Sequence, residues 1–314
     1  MTRLSIAIPS KGRLKEKSEE WLSKSGFKLR QKGGGRGYSA ELSGLSDVDV
    51  MLLSAREIAE GLISGQIHIG ITGEDLLHDL SADVDRDVSV LRRLGFGGAD
   101  VIVAVPQAWL DVDTMADLEA AGALFRERHG RRMRVATKYL RLTRKFFSQS
   151  AVGEYRLVES AGATEAAPAA GSAEVIVDIT STGATLKAND LKILKDGIIL
   201  KSEAALSGSL NADWSEEARA ALRVLLDGVE ATAKAKTLAR LEFSEPLSQD
   251  DLTKHGLDSL SDRAALCPAK EARTVARALA QSGAGMVAIT TIDQVYLQQN
   301  EVFEKFVKNV SQMG

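Results

Sequence analysis

A strand, a short polar loop and a helix follow one another repeatedly in the first third of this chain, and that repetition restricts the fold more than any single residue does. Residues 4–8 (LSIAI) read as a strand, residues 9–13 (PSKGR) as a loop, and residues 14–25 as a helix with Leu14, Trp21 and Leu22 toward the core and Gly26 at its end. The unit returns as strand Val48–Leu53, loop 54–56 and helix 57–64 closed by Gly65, then as strand 68–72 with Gly73, Glu74 and Asp75 opening another helix. Such alternation predicts an α/β fold, a parallel sheet with helices on both faces. Ligands of these sheets bind beyond the carboxyl ends of the strands, where these loops lie.

Further along, strands are expected over 88–94 and 101–105, separated by Gly95, Gly97 and Gly98 and closed by Pro106. The chain is expected to cross into a second lobe here, giving a first lobe over 1–104 and a second over 105–191. Within the second lobe the pattern gives helix Met115–His129, strand Met133–Thr137, helix 142–148 and strands Tyr155–Glu159 and 175–179. Residues 193–205 read as a further extended segment, and the pattern by itself supports the α/β class without showing that the chain crosses twice. A connector helix over 215–241 carries Ala218, Leu222, Leu225, Leu226 and Val229 along one side. Helix 268–282, strand 286–291 and helix 300–310 complete a C-terminal region, 211–314.

The segment EAAPAAGSAEVIVDITSTGATL, residues 165–186, joins a buried parallel strand, interrupted only by Asp178, to Thr180, Ser181, Thr182, Gly183, Ala184 and Thr185. Hydroxyls and a glycine at the start of a helical turn let backbone N–H groups converge on a phosphate. A carboxylate a few residues away suits the vicinal hydroxyls of a phosphorylated ribose. An ordinary Ser/Thr cap after an ordinary strand has the same composition.

Glu165, Gly171, Ala173, Ile176, Asp178, Ile179, Thr182-Gly183 and Thr185-Leu186 stand at the spacing of the signature of ATP phosphoribosyltransferases, the first enzymes of histidine biosynthesis, and the run 159–164 (ESAGAT) resembles that family's approach to its loop. The similarity runs from about residue 3 to about residue 210. It implies two α/β lobes resembling type II periplasmic binding proteins, with residues 192–210 returning to the first lobe and the active site in the cleft, and transfer of the phosphoribosyl group of phosphoribosyl pyrophosphate to N1 of ATP. It also implies a homo-oligomer, dimer or hexamer. In the long form of the family a ferredoxin-like, histidine-binding regulatory domain follows the catalytic lobes, which makes 211–314 a connector helix and a regulatory or oligomerisation region by resemblance. Residues 267–295 resemble its last helix and strand, whereas earlier strands are hard to find in 245–265. The short form recruits a regulatory subunit resembling histidyl-tRNA synthetase, and this chain is open to that arrangement.

Composition sets limits on this reading. At 314 residues the chain can bury a sizeable core, while a net charge of −3 with 26% charged residues gives no basic field for a nucleic-acid partner. Cys267 alone cannot form an internal disulfide, and His68, His78, His129 and His255 lack metal-ligand spacing. No apolar run reaches the length of a signal or membrane span, so the expectation is a cytoplasmic protein with no membrane partner.

Adenine N1 carries a free lone pair near neutrality, so the implied reaction calls for cations and positioning rather than a strong base. Lys11 and Arg13 in the first loop and Arg56 in the second match basic positions of the family and are expected to clamp pyrophosphate and ATP phosphates. Arg36, in GGGRGY, fits either a flap over polyphosphate or a hairpin in water. Gly73, Glu74 and Asp75 resemble the segment lining the nucleotide pocket. Glu159 and Asp178 are expected to receive the ribose hydroxyls, and Thr180 to Thr185 the 5′-phosphate. Mg²⁺ is expected to ride mainly on pyrophosphate oxygens, with Asp178 and Glu159 as its candidate protein ligands. Loop 138–143 (KYLRLT) departs from the family at Leu140, where proline is usual. The competing readings are a non-catalytic binding module of the same architecture and another phosphoribosyltransferase. The common class of the latter carries two adjacent acidic residues in its ribose loop, where this chain has one.

Overall fold

The computed structural model describes residues 3–31, 39–160 and 162–313; Arg36 and its glycine run lie outside them. The chain begins with β1 (Leu4–Pro9), α1 (Gly12–Lys24), β2 (Leu29–Gln31), β3 (Ser39–Leu42), β4 (Val48–Leu53), α2 (Ala55–Ser64), β5 (Ile69–Gly73), α3 (Glu74–Leu80), α4 (Val84–Asp87) and β6 (Val88–Arg93). Next come β7 (Ala99–Pro106), α5 (Met115–His129), β8 (Met133–Thr137), α6 (Leu140–Gln149), β9 (Tyr155–Glu159), a 3₁₀ turn at Thr164–Ala166, β10 (Val175–Thr180), α7 (Ala184–Ala188), β11 (Leu191–Ser202) and β12 (Ala204–Ser209). The last stretch holds α8 (Glu216–Ala235), β13 (Leu238–Phe243), α9 (Gln249–Lys254), β14 (Asp258–Ser261), β15 (Ala264–Pro268), α10 (Ala272–Gln281), β16 (Val287–Thr291) and α11 (Glu301–Met313).

The first two sheets share one plan. In the first, β4, β1 and β5 lie side by side in parallel, followed by β12 antiparallel to β5 and β6 antiparallel to β12. In the second, β9, β8 and β10 are parallel, followed by β7 antiparallel to β10 and β11 antiparallel to β7. The fourth strand of each series is the one that has just crossed over: β7 arrives from the first lobe and β12 from the second. This is the double crossing of a type II periplasmic-binding-protein-like core. Hydrophobic strands at each centre, with Ile6, Ile8, Leu52 and Ile69 in one lobe and Val103, Val135, Val175 and Val177 in the other, are almost wholly removed from water. Full burial of such a side chain stabilises by about 1.5–3 kcal/mol.

Both crossings differ in place from the sequence pattern. β7 already belongs to the second sheet from Ala99, so the first passage precedes residue 104, and β11 stays on β7 as far as Ser202, so the return is made by β12 rather than from residue 192. An alternating apolar strand reads alike on either sheet; only its hydrogen-bonding neighbour assigns it. The connector helix also ends early. α8 stops at Ala235 and LARLEF becomes β13, whose Ala239, Leu241 and Phe243 point inward at period two.

Residues 238–291 form a third sheet in the order β14-β15-β13-β16, wholly antiparallel, with α9 and α10 as the two connecting helices. This β-α-β-β-α-β arrangement is ferredoxin-like. Its second strand escaped the sequence pattern because all four residues of DSLS are exposed. The chain then returns to the first lobe through α11. Phe306 is 1% exposed, packs edge-on against Trp214 at 5.0 Å between centroids, and occupies the space above Gly208 of β12. Among the described residues no helix is long and apolar enough to cross a membrane.

Candidate active site

Parallel register brings the first two loops together. Pro9 pairs with Leu53, and the N–H of Ser10 donates to the Leu53 carbonyl at 2.8 Å, so Lys11 and Arg56 follow adjacent strands at one edge. Lys11 is the residue before α1, and Arg13 lies in that helix's first turn; both are exposed. α2 starts with a reciprocal cap: Glu57 N–H donates to Ser54 Oγ at 3.3 Å, while Ser54 N–H donates to Glu57 Oε2 at 2.8 Å. That cap fixes the turn from which Arg56 projects. Hydrogen bonds from the Ser54 side chain and backbone hold the Glu57 carboxyl low, with a smaller contribution from the charge of Lys11. Arg56 is itself ion-paired to Glu60 at 3.0 Å, a pair with both side chains about half exposed and therefore easily exchanged for an anion.

The third loop, Gly73 to Asp75, spends its carboxylates on contacts within the protein. Glu74 is buried and takes a two-pronged contact from Arg93, with Nε to Oε2 at 3.0 Å and Nη2 to Oε1 at 2.9 Å. Asp75 is also buried, and both its oxygens are occupied: Ser202 Oγ donates to Oδ1 and the Tyr139 hydroxyl donates to Oδ2, each at 2.8 Å. Gly73 lacks a side chain where the Asp75 carboxylate folds back against it. One turn later Asp79 Oδ1 accepts the N–H groups of Arg141 and Leu142 at 2.9 and 3.1 Å, capping α6 of the opposite lobe. Burial pushes the Asp79 carboxyl up, opposed by those two hydrogen bonds, and burial with the charge of Asp75 pushes the Tyr139 phenol far above its ordinary range. Tyr139 follows β8 and Asp75 follows β5, so the carboxyl ends of the two sheets meet here and the loops on either side face one another. A groove of about 780 Å³ opens beside this junction, lined by Arg56, Asp79, Arg141, Arg144 and Lys145 among others.

At the second lobe's edge, β10 delivers Asp178 and the hydroxyl turn. Asp178 is half-buried and accepts the N–H of Ile179 at 2.9 Å; burial pushes its carboxyl up, while the Ile179 hydrogen bond, the charge of Lys138 and the Thr164 hydroxyl oppose that. Thr180 Oγ1 accepts the Gly183 N–H at 2.9 Å and Ser181 Oγ donates to the Gly98 carbonyl at 2.8 Å, tying the turn to the segment entering β7. Gly183 has φ +72°, a left-handed conformation costly to residues with a Cβ. Thr182, Ala184 and Thr185 are exposed. Glu159 ends β9, two strands from β10, and is exposed, while Glu165 sits half-buried in the 3₁₀ turn between them.

The structure therefore gathers Asp178, Glu159, Glu165 and the turn 180–185 on one side, and Lys11, Arg13 and Arg56 on the other. The side chains of Glu74 and Asp75 belong to the junction between the lobes. The partners Tyr139, Ser202, Arg93 and Asp79 were not singled out from the sequence. Asp75 and Asp79, four apart in EDLLHDL, share a helix face and were the available signal.

The chain also resembles known proteins. The family model of HisG, ATP phosphoribosyltransferase, matches residues 54–230. An ATP phosphoribosyltransferase of Caulobacter vibrioides is 51% identical, with 98% of each chain covered, and one of Bradyrhizobium diazoefficiens is 46% identical, with 96% of each covered. Among solved structures, the ATP phosphoribosyl transferase (HisG:HisZ) complex from Thermotoga maritima superposes with a TM-score of 0.54 at 24% identity over 72% of this chain and 98% of that one, which is a likeness of fold. With a family match across more than half its length and relatives this similar from end to end, the chain belongs to the ATP phosphoribosyltransferase family.

Proposed function

We propose that this chain transfers the phosphoribosyl group of phosphoribosyl pyrophosphate to N1 of ATP with release of pyrophosphate, opening histidine biosynthesis. The observation that best supports the reading is a hydroxyl turn with a half-buried carboxylate at the carboxyl edge of one sheet and two cationic loops at the carboxyl edge of the other, the two edges being joined at the Tyr139–Asp75 hydrogen bond. Against a binding module stands the family to which the chain belongs, since the relatives named above are enzymes.

In this reading the turn 180–185 grips the donor's 5′-phosphate through hydroxyls and the N–H groups of α7's first turn, which have no acceptor inside the helix. Asp178 accepts from the ribose hydroxyls and Glu159 assists it. The N1–C1 bond forms from the adenine lone pair as the C1–O bond breaks, and the departing pyrophosphate keeps the bonding pair. Lys11, Arg13 and Arg56 stabilise that growing negative charge, Arg by its planar fork and Lys as a point charge. N1 surrenders no proton, so no general base is required. The Gly73-Glu74-Asp75 segment contributes shape to the ATP side rather than free carboxylates.

Among the described residues no three His, Cys, Asp or Glu side chains converge as a metal cage, whereas hard carboxylate oxygens in ones and twos suit Mg²⁺ carried by a diphosphate. Asp178 and Glu159 would hold it. Bound there, Mg²⁺ supplies charge neutralisation of the leaving group.

Residues 211–314 are proposed to regulate or assemble the enzyme, as a cytoplasmic homo-oligomer, dimer or hexamer. The ferredoxin-like topology of residues 238–291 supports a built-in response to histidine. Purified protein mixed with ATP, phosphoribosyl pyrophosphate and Mg²⁺ is expected to generate the new nucleotide's absorbance, and histidine to suppress it. Turnover only after a synthetase-like subunit is added would identify the two-subunit arrangement; absence of turnover in both mixtures would overturn the reading.

A further inference from the structure

Lys138 is exposed at the mouth of the second lobe; its charge acts on the neighbouring Asp178 carboxyl, but among the described residues no carboxylate lies within ion-pair distance of it. Its place follows from strand register. Val177 of β10 pairs with Thr137 of β8, so the next rung sets Asp178 beside Lys138; Thr137 also pairs with Glu159 of β9, and Ser160 N–H donates to the Thr137 carbonyl at 3.0 Å. Lys138 thus stands on the strand between the aspartate and the end of β9. Thr137 is fully buried, Tyr139 is buried and turned to Asp75, and the residue between them points the other way, to solvent.

The chemistry of that position is one-sided. The segments 138–139, 159–165 and 178–185 contribute three carboxylates, Glu159, Glu165 and Asp178, and one cation, Lys138. A donor bearing a phosphate at one end and pyrophosphate at the other cannot be held by carboxylates alone. We infer that Lys138 binds the pyrophosphoryl end of phosphoribosyl pyrophosphate from the second lobe, opposite the cations of the first. The inference rests on the donor-site reading of residues 178–185. With the 5′-phosphate in the turn after β10 and the ring against Asp178, the C1 end projects over a neighbouring strand, about 4.8 Å to either side. Toward β7 that neighbour offers Asp100, in register with Thr180, and the closed contact between Ser181 and Gly98. Toward β8 it offers the Lys138 ammonium group. Charge selects the β8 side, where N⁺–H···O⁻ bonds to phosphate are strong.

The test is steady-state kinetics on the full-length protein with Lys138→Ala and Lys138→Arg. The alanine variant is expected to raise KM for phosphoribosyl pyrophosphate and weaken product inhibition by pyrophosphate in parallel, roughly ten- to a hundredfold for a lost charged hydrogen bond. KM for ATP should stay within about twofold. Inhibition by ribose 5-phosphate, which lacks the pyrophosphoryl group, should be unchanged, and arginine should restore most of the loss. Pyrophosphate inhibition equal to wild type, or an equal loss toward ribose 5-phosphate, overturns the assignment. Failure of the underlying reading would look different: Thr182→Val and Thr185→Val would then both leave ribose 5-phosphate affinity untouched. Unaltered melting temperatures verify that each exposed-site variant is folded.

Discussion

Residues of the candidate site are held by neighbours outside it, and Glu174 is the clearest of them. It immediately precedes β10 and accepts from Arg134 N–H at 2.7 Å, Arg134 Nη2 at 2.7 Å and Arg131 Nη2 at 2.9 Å, joining the start of the site's strand to β8. Burial pushes its carboxyl up, but the Arg131 and Arg134 hydrogen bonds outweigh that and hold it at about 2. A carboxyl depressed in the folded state stabilises fully above its unfolded value near 4.5, and the contribution disappears as pH falls toward 2. Glu174→Gln should therefore cost about 1–3 kcal/mol at pH 7, and urea unfolding curves of variant and parent should converge between pH 4.5 and 2. Constant separation across that range would show that the pairing contributes nothing. Asp178 and the hydroxyls after it were legible as residues because a carboxylate in an apolar strand is rare. The double engagement of Asp75 was not: its partners Tyr139 and Ser202 are 64 and 127 residues away.

Elements with a period were legible and elements defined by partners were not. Met115–His129, Met133–Thr137 and Tyr155–Glu159 appear with the bounds the pattern gives, each flanked by its own turn chemistry. β14 carries no apolar alternation, and β13 continues an apolar series that a helix fits equally well. Contact between α11 and β12 is of the same kind, since only packing explains why Gly208 sits under Phe306. A Cβ at Gly208 would lie 2.7 Å from that ring. Gly208→Ala is expected to destabilise by about 1–3 kcal/mol through overpacking. Adding Phe306→Leu, which clears the ring, should cost less than the sum of the two single changes in chemical-denaturation midpoints. Strict additivity would mean that the two residues do not share that space.

Across the whole molecule, the C-terminal sheet is tied to the first lobe at both its ends. α8 leads into it from a face lined by Leu222, Leu225 and Leu226, and α11 leads out of it with Asn300 Nδ2 donating to Asp227 at 2.9 Å and Arg223 bridging Asp227 and Glu304 at 2.9 and 3.1 Å. Because Phe306 belongs to the same core as Leu4, Ile69 and Trp214, shortening the chain after Gln299 should damage the first lobe as well as the tail. Loss of that side chain alone removes about 3–5 kcal/mol. Thermal melting followed by tryptophan fluorescence should report a lower midpoint for the shortened protein, and an unchanged midpoint would make α11 an independent appendage. By itself the sequence determined the α/β class, the loops that carry cations and hydroxyls, and the family signature, because these depend on local period, turn chemistry and spacing along the chain. The tertiary structure alone decided where the chain crosses between lobes, which carboxylates lock the junction between them, and that a ferredoxin-like unit is pinned to the first lobe. Those outcomes depend on hydrogen bonds and packing between residues distant in sequence, and no local pattern encodes the partner.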